Sequence, residues 1–287
     1  MTSIHQWRRT LSARLKPVAA DLAAFESDCL LGRVLECGPT ELTLRAQDQL
    51  TPEQETLVEG YLERRLTGIP LTYVLGRAHF YGLELISDSR ALIPRPETEE
   101  IVQIALDCLP PPSRERRPLV VDMGTGSGNI ALAIAHARPD LRVIATDIEL
   151  PALALADENR KRLNLTAQIN LVAGRSLSMF RNTRMIDMIV TNPPYIALDD
   201  PNVERSVIDH EPHVAVFAGP SGLEIIIELL VQAAPRLVPD GWLITEIGYD
   251  QGEVLRAGLG SRPEWHKPIF KCDLAGIERI MAIQRQA

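Results

Sequence analysis

The sequence predicts an α/β protein with a doubly wound, mostly parallel sheet of seven strands, preceded by a small N-terminal helical domain. Three observations carry this. Apolar residues recur at helical spacing from Ile4 to about Leu75. Beyond that region, short apolar runs at 118–123, 141–147, 168–172, 185–191 and 241–247 alternate with helical segments at about 129–138, 150–163 and 222–236. The last two strand-like runs, near 265–270 and 277–284, are joined by a turn around Ala275-Gly276 too short for anything but antiparallel pairing. The 287 residues are 45% hydrophobic and 24% charged, enough apolar surface for a sizeable core and enough length for two domains.

In the N-terminal region Leu11, Leu15, Val18 and Leu22, then Leu30, Leu31, Val34 and Leu35, and later Leu57, Tyr61 and Leu62 mark the faces of successive helices. Thr51-Pro52-Glu53-Gln54 joins an N-cap hydroxyl, a first-turn proline and an amide three residues on, so a helix begins there and runs to about Thr67. Gly68, Pro70, Gly76 and Gly82 break the helical period, and His79-Phe80-Tyr81 followed by Leu83, Leu85 and Ile86 predicts a short hairpin within a connector spanning 76–95. A helix from Glu97 to Leu109 ends at Pro110-Pro111-Pro112, and the mostly basic run Arg114 to Arg117 reads as a solvated loop.

Composition excludes several classes. A net charge of −8 argues against a surface that tracks nucleic-acid phosphates, so no stable nucleic-acid complex is expected. Cys29, Cys37, Cys108 and Cys272 form no CxxC pair, which points to neither a zinc site nor a disulfide framework but to a reducing, cytoplasmic setting; no metal is expected. The longest apolar stretch, Leu223 to Val238, is interrupted by Glu224, Glu228 and Arg236, so no membrane span is expected. Arg8, Arg9, Arg14 and Lys16 precede any acidic residue, a pattern shared by transit peptides, but an amphipathic first helix accounts for it.

The chemistry concentrates at strand ends. Leu119 to Val121 runs into Asp122, followed by Gly124-Thr125-Gly126-Ser127-Gly128 and a helix from about Asn129. Side chains at the three glycine positions would block close approach of backbone to a ligand, and the helix N-terminus adds free N–H groups. The spacing is GxGxG rather than the GxGxxG of dinucleotide sites, which suits a ligand without phosphate, such as the amino-acid end of S-adenosylmethionine. Asp147 ends the next strand about 20 residues on, where a carboxylate can accept both ribose hydroxyls, and Ile148 can pack on an adenine face. The third strand leads to Gly174-Arg175-Ser176 where methyltransferases usually carry an acid, leaving backbone groups or Ser176 to meet the adenine amine.

The fourth strand enters Asn192-Pro193-Pro194-Tyr195 at the carboxyl edge of the sheet, where ligands bind in open α/β folds. A planar NH2 group has a delocalised lone pair and must be oriented by acceptors. The Asn192 side-chain oxygen and the Pro193 carbonyl can accept its two N–H bonds, Tyr195 can stack on it, and the prolines stiffen the loop. A tight turn at the glycines, an N-cap at Asp147 and a strand terminator at Asn-Pro-Pro are the structural alternatives; their occurrence together in this order favours a site.

Four segments resemble the release-factor glutamine methyltransferases of the HemK/PrmC type: Gly68-Ile69-Pro70-Leu71-Thr72-Tyr73 with Phe80-Tyr81-Gly82-Leu83; Ile93-Pro94-Arg95-Pro96-Glu97-Thr98-Glu99; the glycine loop; and Asn192 to Ile196 with Glu211-Pro212. The resemblance implies a class I, S-adenosylmethionine-dependent enzyme that methylates the glutamine amide in the GGQ loop of peptide-chain release factors. It implies a docking domain at 1–75, the connector at 76–95 and the methyltransferase domain at 96–287. It assigns catalysis to Asn192, Pro193, Pro194 and Tyr195. It assigns the cofactor to Asp122, Gly124, Thr125, Gly126, Ser127, Gly128, Asp147, Ile148, Arg175, Ser176 and Asn192, and the substrate to Arg95, Glu97 and the Asn192–Tyr195 loop. The chain departs from the family at Arg175, at Met123 and over Glu26 to Leu31. Glutamine methylation of a ribosomal protein and methylation of an exocyclic amine on a nucleic-acid base are the alternative functions.

Overall fold

A computed structural model describes residues 2–112 and 116–287, so the start of the basic run at Arg114 lies outside the described residues. The chain divides into two compact units, Met1–Arg77 with Arg205–His210, and Ala78–Glu204 with Glu211–Ala287.

The first unit is helical: α1 (Ile4–Ala19), α2 (Ala23–Leu35), α3 (Pro39–Leu44), α4 (Pro52–Leu66) and α5 (Leu71–Leu75). The N-termini of α1 and α4 are closed by capping boxes, Ser3 with Gln6 on α1 and Thr51 with Gln54 on α4, each hydroxyl accepting the N–H three residues on and each amide returning the bond. This satisfies donors that a helix start leaves open. Leu11, Leu15, Leu30, Leu31, Val58 and Leu62 meet in one core. Two expected core residues do not join it: Leu22 and Leu57 are exposed. Ala20 takes a positive φ of 43° and ends α1, so Leu22 falls in a 3-10 turn off the helical stripe, while the inward face of α4 runs through Val58 and Leu62. Glu26, in the segment that departs from the family, is buried and receives two bonds from the Arg65 guanidinium at 2.8 and 3.0 Å, a forked geometry suited to a charge removed from water.

The second unit opens one residue into a hairpin of β1 (Arg77–Phe80) and β2 (Leu83–Ile86), then has a 3-10 turn at Pro96–Thr98 leading into α6 (Glu99–Cys108). Next come β3 (Leu119–Met123), α7 (Asn129–Ala137), β4 (Arg142–Asp147), α8 (Leu150–Arg162), β5 (Ile169–Ala173) and β6 (Ile186–Thr191). After β6 a two-stranded ribbon of β7 (Ile196–Ala197) and β8 (Phe217–Gly219) brackets α9 (Arg205–His210), which groups with the first unit. The chain finishes with α10 (Glu224–Ala233), β9 (Leu237–Glu246), α11 (Gly252–Leu259), β10 (Ile269–Cys272) and β11 (Glu278–Gln284).

Seven strands form one sheet in the order β10-β11-β9-β6-β3-β4-β5. β5, β4, β3, β6 and β9 pair in parallel, and β11 runs antiparallel to β9 on one side and β10 on the other, as the short final turn requires. All six residues of β6 are buried, the mark of a central strand covered on both faces. The strand order reverses between β3 and β6, and a crevice opens at the carboxyl ends there. No helix among the described residues is long and apolar enough to cross a membrane. The four cysteines are free; three are half-buried and Cys272 is exposed.

Candidate active site

The glycine loop is built by backbone that only glycine tolerates well. Gly124, Gly126 and Gly128 take φ of +70°, +54° and +88°. The loop is pinned from two sides: Thr125 N donates to the Thr146 carbonyl and Gly126 N to Asp147 Oδ2, both at 2.8 Å. Asp122 lies fully buried, its Oδ2 accepting from Thr125 Oγ1 at 2.6 Å and Ala131 N at 3.1 Å while Oδ1 has no partner. Burial is the largest influence on this carboxyl and pushes it up to about 7.

Asp147 spends both oxygens on backbone, Oδ1 accepting from Glu149 N at 2.9 Å and Oδ2 from Gly126. Burial raises its pKa, opposed by those two N–H bonds. It does not cap α8; the N-cap position is Glu149. Ile148 beside it is a large apolar side chain left open at the cavity wall. On the adjacent strand end Gly174 N donates to the Asp147 carbonyl at 2.8 Å and lies against Met179, where any Cβ would fall 1.8 Å from the Met179 methyl, and Ser176 Oγ shares a 2.7 Å bond with Ser178 Oγ.

The Asn192–Tyr195 turn is held at both ends. Thr191 Oγ1 donates to the Met123 carbonyl at 2.6 Å, locking the end of β6 to that of β3. Asn192 Nδ2 donates to Thr98 Oγ1 at 3.0 Å, and Thr98 Oγ1 donates to Glu246 Oε2 at 2.7 Å. The Tyr195 hydroxyl donates to Glu246 Oε1 at 2.9 Å, and Gln251 Nε2 donates to the carbonyls of Tyr195 at 2.9 Å and Gly222 at 3.1 Å. Burial, with the adjacent Glu246, lifts the Tyr195 phenol well above its ordinary value, so it stays a donor. Burial holds the Glu246 carboxyl above the usual carboxylate range, and the bonds from Thr98 and Tyr195 offset only part of that effect. Nearby, Glu211 accepts Ile93 N at 3.0 Å and Arg95 Nη2 at 2.5 Å, fixing the guanidinium at the cavity.

One cavity of about 480 Å³ collects most of the predicted residues: Gly124 to Ser127, Asp147, Ile148, Arg175, Ser176, Asn192 to Pro194 and Arg95. Four lie outside its lining. Asp122 is beneath the loop, Gly128 is packed toward Leu132 and Ala156, Glu97 is exposed, and Tyr195 turns to Glu246. Sequence reasoning passed over Glu246 and Gln251 and held Thr98 only within the Arg95–Glu99 stretch that the resemblance places along the cavity, where Thr98 does line it. Glu246 did carry a signal: it is an acid closing the apolar strand Leu243-Ile244-Thr245, at the strand end where ligands bind. No group of three or more His, Cys, Asp or Glu suited to a metal occurs among the described residues.

Over most of its length the chain is similar to known proteins. The PrmC N-terminal domain matches residues 6–76 and the methyltransferase small domain residues 101–214. A release factor glutamine methyltransferase from Bradyrhizobium diazoefficiens is 35% identical, covering 99% of this chain and 95% of the relative. Proteins of the same name from Koribacter versatilis and Coxiella burnetii are 36% and 35% identical, covering 90% and 99% of this chain and 89% and 100% of their own lengths. Among solved structures, the hMettl16 catalytic domain in complex with a MAT2A 3'UTR hairpin aligns with a TM-score of 0.56 at 20% identity, over 74% of this chain and 78% of that one. A human methyltransferase 10 domain containing protein aligns at 0.52 and 18%, over 70% and 88%. At such identities these two speak for the shared fold alone.

Proposed function

Since the chain belongs to the release factor glutamine methyltransferase family, its reaction is methylation of a release-factor glutamine, and we propose that the methyl donor is S-adenosylmethionine and the target the side-chain amide of the GGQ loop. The residues present fit that donor. The cavity volume of about 480 Å³ falls within the range of small-molecule sites, about 300–1,000 Å³. Ser127 Oγ, on the loop lining it, is buried without a protein partner. Gly124 to Ser127 and the N-terminus of α7 would hold the methionine end, Asp147 the ribose hydroxyls, Ile148 the adenine face, and Arg175 with Ser176 the adenine edge. Asp122 and Gly128 would shape the loop from below. When bound, S-adenosylmethionine supplies an electrophilic methyl group on a sulfonium.

The observation that carries the chemistry is the Asn192 side chain. Its nitrogen is committed to Thr98, so its oxygen is the atom left to accept a hydrogen bond. Asn192 Oδ1 and the Pro193 carbonyl would accept the two N–H bonds of the glutamine, each worth about 0.5–1.5 kcal/mol net, and proline at 193 and 194 offers no competing N–H. Tyr195, tied to Glu246, anchors the turn rather than facing the substrate. Arg95, held by Glu211, is the member of its stretch offered to the cavity, ahead of the exposed Glu97. The glutamine nitrogen would attack the methyl carbon in line as the carbon–sulfur bond breaks and S-adenosylhomocysteine leaves, and the proton on the resulting cationic nitrogen would be acidic enough to pass to water, so that orientation rather than a general base lowers the barrier. Such a substrate places the reaction in the cytoplasm, and the net charge of −8 favours a protein over a nucleic-acid partner.

Transfer of labelled methyl to purified release factor tests this, with the GGQ glutamine intact or replaced. Label is expected on the intact loop alone. Asn192→Ala should lower turnover by about 100-fold or more, as loss of a transition-state hydrogen-bonding group does, in a folded protein saturated with cofactor. Label on ribosomal protein or nucleic acid instead would keep the cofactor and discard the target.

A further inference from the structure

We propose that Glu246 is the positioning residue of the methyl-transfer site: it acts through the Thr98 hydroxyl to aim the Asn192 amide oxygen at the substrate, and through the Tyr195 hydroxyl to hold the far end of the same turn. The proposal rests on the reading of Asn192 as the acceptor for the glutamine amide.

An asparagine amide is nearly symmetric in shape, with an acceptor on one side and a donor on the other, and exchange of the two costs little unless a neighbour distinguishes them. At position 192 a reversed amide would present NH2 to the NH2 of the substrate, and the site would repel what it must bind. Thr98 alone cannot prevent this, because a hydroxyl both donates and accepts. Glu246 removes the ambiguity by standing as acceptor to both hydroxyls, Thr98 on one oxygen and Tyr195 on the other. With Glu246 Oε2 at 2.7 Å, the single Thr98 proton is committed to the carboxylate, and the Thr98 oxygen can offer Asn192 nothing but a lone pair. Asn192 must answer with Nδ2, at 3.0 Å, which leaves Oδ1 as the outward atom. The other carboxylate oxygen receives the Tyr195 hydroxyl at 2.9 Å, so one buried group sets both ends of the turn. Thr98 is 0% and Glu246 3% exposed, so water does not compete for these bonds. Thr98 also lines the cavity beside Asn192, which makes it the link between the buried acid and the reacting space.

The test uses full-length protein. Thr98→Val removes the hydroxyl at nearly constant volume, Thr98→Ser restores it, and Glu246→Gln keeps shape while introducing a donor. Three quantities are measured: S-adenosylmethionine affinity by calorimetry, the single-turnover rate at saturating release factor, and the Asn192 side-chain amide resonance in nitrogen-15 spectra of cofactor-bound protein, assigned by its loss in Asn192→Ala. Thr98→Val and Glu246→Gln should each slow the rate by about 10- to 100-fold, the worth of a charge-assisted hydrogen bond. Affinity should stay within about 3-fold, since cofactor binding does not depend on the severed bond, and Thr98→Ser should recover most of the rate, because it restores the hydroxyl. The double variant should be no slower than the worse single one, because both cut the same relay. The Asn192 amide resonance should shift in Thr98→Val and in Glu246→Gln. A near-normal rate in Thr98→Val, multiplicative losses in the double variant, or an unmoved Asn192 resonance would each overturn the relay. Should Glu246→Gln not fold, the Thr98 pair decides alone. If wild-type protein transfers no methyl to release factor, the proposed target falls, while the Asn192 resonance still tests the relay.

Discussion

The Asp122 carboxyl sits where water does not reach it, with one oxygen bonded to Thr125 and Ala131 and the other unpartnered, and this makes stability a function of pH. Its folded-state value of about 7 lies above its ordinary 3.8, so the folded protein holds a proton the unfolded chain has released. Its contribution to stability is therefore whole below about pH 4 and is lost as pH rises through 7, at up to about 1.4 kcal/mol per pH unit. Asp122→Asn keeps an acceptor for Thr125 and Ala131 but cannot ionise. Urea unfolding at pH 5 and pH 8 should show the variant gaining on wild type at the higher pH; equal pH slopes in the two proteins would mean that Asp122 does not titrate in this range. The sequence marked Asp122 for its place at a strand end, and burial shows it working beneath the loop. The pairing of Thr98 with Glu246 was illegible for a plain reason: they meet across 148 positions, and nothing local to either announces the other. Asn192 and the cavity glycines were legible because their chemistry is written in contiguous residues.

At the scale of elements, the turn from β3 into α7 separates two uses of glycine. Gly124 lines the cavity, has a φ of +70°, and has no atom within 4 Å of where a Cβ would stand; Gly128 lies outside the cavity at φ +88°, with Leu132 and Ala156 only 3.0 and 3.3 Å from such a Cβ. Gly128→Ala therefore combines left-handed strain with overpacking and should cost about 2–4 kcal/mol in denaturant unfolding. Gly124→Ala carries the strain alone, about 1–2 kcal/mol, but puts a methyl where the ligand backbone approaches and should lose more cofactor affinity. The opposite ranking in either assay would refute this division. The alternation of β and α segments was readable because each strand of the parallel core is a short apolar run between polar turns. The exceptions have local causes. β9 begins at Leu237, ahead of the expected 241, because Pro239-Asp240-Gly241 looks like a turn; it is taken into the strand through a positive φ at Asp240 and a register shift against β6. α11 opens on a glycine and spans only Gly252–Leu259, and β7 has two residues, too few in each case for a period to show.

For the molecule as a whole, the cores and the cavity fall cleanly within units. The cluster around Leu11, Leu30 and Leu62 draws only on residues before the hairpin, and the other clusters draw only on residues from the hairpin onward. The cavity takes every lining residue from the second unit. This division follows from the change of hydrophobic period along the chain, helical at first and then alternating runs, because each pattern can bury its apolar face only against its own kind of layer. Two separately buried cores should unfold as two cooperative steps. Leu30→Ala removes a fully buried side chain from the helical core and should cost about 2–5 kcal/mol, lowering one calorimetric transition. S-adenosylmethionine at 100 times its dissociation constant should stabilise the other by about 2.7 kcal/mol and leave the helical transition in place. In the variant, cofactor affinity should be unchanged, because no group that Leu30 packs against reaches the cavity. A single transition that both the substitution and the ligand displace together would show the two units melting as one body, and the helical unit would then have to be counted among the determinants of cofactor affinity.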